Sequence, residues 1–211
     1  MPRPITTRPV TPMFTATVGK VDSSKVLGTS TFHVSKGLFA GSKAPFVSHP
    51  DYLAMNLPAG PAQKLLGGLN AALKTKLKSR GDAHITVLTP PEVAVLKKTL
   101  SMKEIEAIAS KAEMQSAAIT PVGLGMGSVP KDETFFVVVK APELQAIRQS
   151  IAAAFVAKGG DPKAFDAADY HSHVTIGFTS YDIQEEQGLI KDERSIPKRA
   201  NPTTKGLIVD P

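Results

Sequence analysis

The pattern of apolar and polar positions becomes regular in the second quarter of the chain. Residues 52–57 form an apolar run of strand length, which Pro58 ends. A helical periodicity then extends to about residue 79, and a second strand follows over residues 83–88. The helix carries leucines on one face with 3-4-4 spacing, at positions 66, 69, 73 and 77. This pattern predicts a strand–helix–strand unit.

A second unit of the same order follows later in the chain. Residues 134–140 form an apolar strand, Pro142 opens a helix, and residues 172–178 form the closing strand. The apolar face of this helix has the same 3-4-4 spacing, at Leu144, Ile147, Ile151 and Phe155. Matched order and matched spacing indicate an internal duplication.

The rest of the chain has weaker signals. Between the units, the pattern predicts two helices and a strand, over residues 92–100, 102–114 and 117–127. After the second unit, Thr179 and Asp182 have the spacing of a capping box, so a last helix ended by Gly188 is expected. We predict an N-terminal arm and β-rich extension over residues 1–50, the duplicated domain over 51–190 and a basic tail over 191–211.

Charge and composition narrow the class of function. The 211 residues include no cysteine, so disulfides and cysteine nucleophiles are excluded. The net charge of +6 favours anionic partners such as nucleotides or RNA ends. No apolar run has the length of a membrane span, so no membrane partner is expected. The N-terminus lacks the apolar core of a signal peptide, which favours a cytoplasmic protein, although its lack of acidic residues leaves organellar import open. A monomer is expected.

The two closing strands carry the candidate chemistry. They contain His-Ile-Thr-Val over residues 84–87 and His-Val-Thr-Ile over residues 173–176. Because side chains alternate between the faces of a strand, histidine and threonine share one face while the aliphatic residues point into the core. A pseudo-twofold arrangement would place two imidazoles and two hydroxyls around one cleft. One imidazole can then accept a proton while the other donates one, since histidine titrates near neutral pH.

These duplicated motifs resemble the 2H phosphoesterase superfamily, which includes RNA 2′-5′ ligase-like proteins and cyclic phosphodiesterases. The resemblance covers about residues 51–182, is most specific over 170–178 and is closest to the Swiss Army Knife RNA repair-like branch. It implies a bilobal α+β fold with antiparallel-rich sheets around a central cleft that holds the motif residues. It implies, too, the hydrolysis of a 2′,3′-cyclic phosphate, on a nucleotide or an RNA terminus, without metal or cofactor. It also implies that the motif histidines are general acid and base and that the motif threonines bind phosphate; these residues are His84, His173, Thr86 and Thr175.

Several alternatives stay open. A binding module on the same fold would recognise nucleotide or RNA without turnover. His171 lies two positions before His173 and is expected to support it, or to join His84 and His173 in a zinc site of a metal-dependent hydrolase. Tyr170 could stack on a base. Four basic residues before the first motif form either a solvated face or a rim that attracts phosphate; they are Lys74, Lys76, Lys78 and Arg80.

Overall fold

The computed structural model of the protein describes residues 23, 26, 27, 38, 39 and 44–197. Most of the predicted N-terminal extension over residues 1–50 and most of the basic tail over residues 191–211 lie outside this part of the chain. The proposed boundaries of these segments therefore stay predictions. No helix in the described part is long and apolar enough to span a membrane.

The described domain contains five strands and four α-helices. The strands are β1 (Leu53–Leu57), β2 (Ala83–Leu88), β3 (Thr120–Val129), β4 (Asp132–Lys140) and β5 (His173–Phe178). The α-helices are α1 (Ala59–Leu73), α2 (Pro90–Leu96), α3 (Met102–Lys111) and α4 (Pro142–Ala157). Short 3₁₀ turns occupy Met114–Ser116, Glu185–Gln187 and Glu193–Ser195. The first unit is thus β1–α1–β2 and the second is β4–α4–β5.

Two antiparallel sheets contain the two units. The strands β1 and β2 form one sheet, and the other has the order β3-β4-β5. Within the first unit His84 lies opposite Asn56, and within the second His173 lies opposite Val138. In both units the motif strand is therefore the antiparallel partner of the strand that precedes the helix. This arrangement confirms the predicted α+β fold with two lobes.

The helix α4 packs as predicted, whereas α1 does not extend as far as its leucine spacing suggests. Leu144, Ile147, Ile151 and Phe155 of α4 are all buried. The helix α1 ends at Leu73, because Lys74 adopts a left-handed φ of 50° and the amide of Thr75 donates to the carbonyl of Asn70, closing a Schellman motif. Leu77 is buried but lies beyond the helix. The helix packs instead through Ala62, Leu65, Leu69 and Leu73.

The predicted last helix is wrong. Only a 3₁₀ turn, Glu185–Gln187, forms before Gly188. Thr179 does not cap a helix, because its hydroxyl donates to Asp132 and accepts from the backbone amide of Glu133. The carboxylate of Asp182 points elsewhere, toward Lys191. Other boundaries differ by a few residues; for example, α2 begins earlier than expected because Thr89 and Glu92 form a capping box.

The motif strands β2 and β5 lie side by side, and a backbone bridge joins the two units beside them. The amide of Lys78 donates to the carbonyl of Phe178 at 2.8 Å, and the amide of Phe178 donates back at 2.9 Å. Gly177 permits this approach, since a Cβ there would lie 2.7 Å from the Leu66 side chain and 3.1 Å from the Lys78 carbonyl oxygen. The bridge holds the end of β5 against the first unit.

A buried arginine joins the two units at a second place. Arg148 of α4 is 1% exposed and donates to the carbonyl of Val87 at 2.8 Å and to the carboxylate of Glu92 at 2.7 Å. It also donates to three carbonyls of the segment before β5, those of Asp166, Ala167 and Asp169. Its guanidinium lies 4.9 Å from the ring centres of both Phe165 and Tyr170. Arg148 thus ties β2 to the segment that leads into β5.

Candidate active site

The two motifs present the faces that strand alternation predicts. The histidine and threonine of each motif are half-buried, and the aliphatic residues between them are buried. The aliphatic residues are at most 2% exposed; they are Ile85, Val87, Val174 and Ile176. The structure brings the motifs together, because β2 adjoins β5 and the charge of His84 is close enough to act on the pKa of His173.

Both imidazoles are held through Nδ1 by a group two residues earlier in the chain. Nδ1 of His84 lies 2.9 Å from a carboxylate oxygen of Asp82, and Nδ1 of His173 lies 2.7 Å from the backbone carbonyl oxygen of His171. A carbonyl can only accept a hydrogen bond, so Nδ1 of His173 carries a proton and Nε2 of the neutral ring does not. The anchors occupy matching positions but differ in charge, which makes the two histidines chemically unlike.

The surroundings of His173 favour its neutral form. Burial lowers the pKa of His173 to about 4, and the charges of Lys191 and His84 act in the same direction. The hydrogen bond to His171 and the carboxylate of Asp182 oppose this shift without reversing it. At neutral pH the imidazole of His173 is therefore uncharged and able to accept a proton.

Aromatic rings flank both histidines. The ring of Phe136 on β4 meets the ring of His173 edge-on, with their centres 5.9 Å apart. The ring of Tyr52 is tilted against that of His84 at 6.2 Å and stacks on the ring of His49 at 4.0 Å. These neighbours limit the rotation of the imidazoles and exclude water from part of their surface.

A buried charge cluster lies at the second motif. Asp182 binds the ammonium of Lys191 at 2.7 Å and the guanidinium of Arg80 at 3.2 Å, and it accepts a hydrogen bond from Thr175 at 3.2 Å. Burial acts to raise the pKa of Asp182, but Lys191 and Arg80 outweigh it, so that pKa is lowered. Lys191 is 4% exposed, and this burial lowers its pKa because it disfavours the charged ammonium. Two cations against one carboxylate leave positive charge beside Thr175.

The residues of this arrangement up to position 184 lie in a stretch that matches a known protein family. A family model described as "Swiss Army Knife, 2H phosphoesterase domain" matches residues 51–184, which is more than half of the chain. The chain belongs to the 2H phosphoesterase family. Comparisons with curated proteins and with solved structures gave no match. The match supports a phosphoesterase enzyme and confirms both the resemblance to the superfamily and the Swiss Army Knife branch.

His171 does not join the two motif histidines of this 2H phosphoesterase in a metal site. Its Nε2 lies 3.3 Å from Asp169 and 3.8 Å from Glu185, and its Nδ1 lies 4.0 Å from Asp192. Within residues 44–197 and the few described residues before them, the group with metal-ligand spacing is Asp169, His171 and Glu185. The set of His84, His171 and His173 is therefore not assembled. The contact of His171 with His173 runs through its backbone carbonyl.

Tyr170 is placed in packing and not on an open surface of the 2H phosphoesterase domain. Its ring lies over the Arg148 guanidinium, and its hydroxyl is buried with no hydrogen-bond partner among the described residues. Burial raises the pKa of Tyr170 well above the ordinary value. This placement gives no support to a role of Tyr170 in stacking on a base.

The sequence patterns did not indicate that Asp82, Asp182 and Lys191 lie at the site. Asp82 has a signal that was available, since it precedes His84 by the same two positions that separate His171 from His173. Asp182 and Lys191 have none, because they lie in irregular segments after β5 and reach the site only through the fold. Of the basic residues before the first motif, Arg80 is the one whose side chain pairs with Asp182.

Proposed function

We propose that this 2H phosphoesterase hydrolyses 2′,3′-cyclic phosphates of nucleotides or RNA ends by acid–base catalysis with His84 and His173. The observation that carries the proposal is the pair of imidazoles held through Nδ1 by unlike acceptors, a carboxylate and a carbonyl. In this proposal, the Nε2 atom of each ring exchanges a proton with the substrate or with water. Two proton-transfer groups of different character suit a reaction that removes one proton and supplies another.

His173 is the general base in this proposal. Its pKa of about 4 keeps the imidazole neutral at physiological pH, and its Nε2 carries no proton. It accepts a proton from water as the water oxygen bonds to phosphorus. The displaced bond is the one between phosphorus and a ribose oxygen.

His84 is the general acid. Asp82 places a carboxylate at its Nδ1, which balances the positive charge of the imidazolium form. The proton on Nε2 passes to the leaving ribose oxygen, and the product is a phosphate monoester on the neighbouring oxygen. The proton gained by His173 and the proton lost by His84 balance over one turnover once solvent restores both.

The remaining groups bind the phosphate. Thr86 and Thr175 present hydroxyls on the same faces as the histidines. Thr175 donates to Asp182 in this structure, and an incoming phosphate oxygen would take over that hydrogen bond. The cations Lys191 and Arg80 offset the charge of Asp182 and leave positive charge for the phosphoryl oxygens.

The direct test is turnover of a panel of nucleoside 2′,3′-cyclic phosphates and a cyclic-phosphate-ended RNA, followed by phosphorus NMR. We expect the cyclic signal to be replaced by that of a monoester. Binding of these compounds without any turnover would contradict the enzyme and favour a binding module on the same fold.

The pH dependence follows from the state of His173. Because the base must be unprotonated and its pKa is lowered to about 4, kcat/KM is expected to rise as pH increases through about 4 and to level off well below neutrality. It is expected to fall again at higher pH, because a pair of acid and base catalysts gives a bell-shaped profile. The two limbs are macroscopic values of the coupled pair. The measurement is kcat/KM for a cyclic nucleotide across the pH range.

An acid limb near the ordinary imidazole pKa of about 6.5 would contradict the assignment of His173 as a desolvated base. The same assay with excess EDTA tests the expected independence of metal. Activity abolished by EDTA and restored by zinc would overturn the mechanism and direct attention to Asp169, His171 and Glu185.

The threonine hydroxyls are tested by Thr86→Val and Thr175→Val, which keep the side-chain shape and remove the donor. Each is expected to lower kcat/KM by about 10- to 150-fold, the equivalent of about 1.5–3 kcal/mol for a hydrogen bond to a charged group. Thr75→Val is the matched control, because Thr75 is exposed and lies outside both motifs. Unchanged kinetics in both motif variants would show that the hydroxyls do not bind phosphate.

A further inference from the structure

A cavity of about 390 Å³ opens next to the first motif. Its apolar walls include Pro45, Val47 and Ala59. Its polar side chains are those of His49, Asn56 and Asp82. The volume falls within the range of pockets that bind small organic ligands, about 300–1,000 Å³.

The cavity shares a wall with the proposed acid. Asp82 lines it and also holds Nδ1 of His84 at 2.9 Å. The general acid protonates the leaving ribose oxygen, so the ribose must lie on the His84 side of the phosphate. A base attached to that ribose then extends over the first unit, where the cavity opens.

We infer that this cavity binds the base of the nucleoside whose ribose oxygen leaves, so the substrate is a cyclic phosphate of a nucleoside and not of a bare polyol. The inference rests on the proposed function, because the placement of the ribose depends on His84 as the acid. A nucleobase has apolar faces and a polar edge. Pro45, Val47 and Ala59 suit the faces, while Asn56 and Asp82 offer polar atoms to the edge.

Hydrogen bonds hold the walls of the cavity in place before any ligand binds. The Asn56 amide group donates to the carbonyl of Pro45 at 2.9 Å. Gln115 donates to the carbonyl of Ala44 at 2.8 Å and accepts from the Asn56 backbone amide at 3.1 Å. His49 is fixed by its stacking on Tyr52 and by a 3.0 Å contact with the tyrosine hydroxyl. A preformed cavity binds with little loss of conformational freedom.

The test fills the cavity and compares substrates with and without a base. In Ala59→Phe, kcat/KM for adenosine 2′,3′-cyclic phosphate is expected to fall by about 5- to 150-fold, the range observed when one base of a bound single strand loses its stacking contact. Its kcat/KM for methyl ribofuranoside 2,3-cyclic phosphate, which has no base, is expected to stay unchanged. Ala71→Phe is the matched control, since Ala71 is exposed on the same helix.

Equal losses on both substrates, or no loss on either, would overturn the inference. Val47→Trp provides a second variant that fills the cavity from the exposed segment on its other side, in case Ala59→Phe does not fold. Circular dichroism checks the fold of each variant.

Binding of free adenosine, observed by NMR titration, separates this inference from the proposed function. The wild type and Ala71→Phe are expected to bind adenosine, and Ala59→Phe is expected to lose binding. Adenosine binding with no turnover of any cyclic phosphate would overturn the hydrolysis and support the cavity as a nucleoside site. Turnover of the cyclic phosphates with no adenosine binding, and with no preference for the substrate that carries a base, would overturn the cavity assignment alone.

Discussion

Replacing His173 with alanine is expected to lower kcat for cyclic phosphate hydrolysis by about 10²–10⁴-fold, the usual contribution of a general base. The variant loses the neutral Nε2 that accepts the proton of water, while the half-buried position on β5 tolerates a smaller side chain. The measurement is steady-state turnover of a nucleoside 2′,3′-cyclic phosphate, with circular dichroism to check the fold.

The same loss is expected for His84→Ala, because the leaving oxygen then departs without a proton. The double variant should lose less than the product of the single effects, since the two imidazoles act as a unit. His171→Ala is the matched control. It keeps the backbone carbonyl that binds Nδ1 of His173, so its effect should be far smaller. Near-normal activity in either motif variant, or an equal loss in His171→Ala, would contradict the assignment.

The largest effect on stability is expected for Arg148→Met, which keeps much of the side-chain volume but removes the charge and the donors. Glu92 would keep an unpaired, partly buried charge, and four carbonyls would lose a donor; they belong to Val87, Asp166, Ala167 and Asp169. Breaking a buried ion pair from one side costs about 3–5 kcal/mol. The measurement is the free energy of unfolding in urea.

Arg194→Met is the control for Arg148. Its side chain is 72% exposed and pairs with Asp192 at the surface, so a change within about 0.5 kcal/mol is expected. A fall of less than about 1 kcal/mol in the free energy of unfolding of Arg148→Met would contradict this prediction. It would show that water can replace the guanidinium and that Arg148 does not hold β2 to the segment before β5.

The motif strands could be predicted because two rules act locally on them. Alternation with period 2 puts His84 and Thr86 on one face, and the apolar positions between them set which face is buried. The internal repeat extends the same prediction to His173 and Thr175 in the second motif strand. The antiparallel pairing of each motif strand with the strand before the helix was not predicted, because strands joined by a helix are more often parallel.

Features that depend on tertiary contacts could not be predicted. Lys74 ends α1 with a positive φ although neither glycine nor asparagine stands there, so the usual signal is missing. Asp182 has the spacing of a helix cap, yet its carboxylate is taken by Lys191, which lies in an irregular segment, and by Arg80, which is 102 residues away in the chain. Arg148 stands among the apolar positions of α4, and that conflict was the one visible sign of a buried charge.

The bridge between Lys78 and Phe178 bears on how easily β2 and β5 can move apart. Two backbone hydrogen bonds tie the end of β5 to the residues before β2, and Arg148 ties the end of β2 to the segment before β5. A motion that separated the two motif strands would have to break both ties. A side chain at position 177 is expected to weaken the first of them, because a Cβ there would lie 3.1 Å from the Lys78 carbonyl oxygen. The relative position of the two histidines thus depends on a glycine that carries no chemistry of its own.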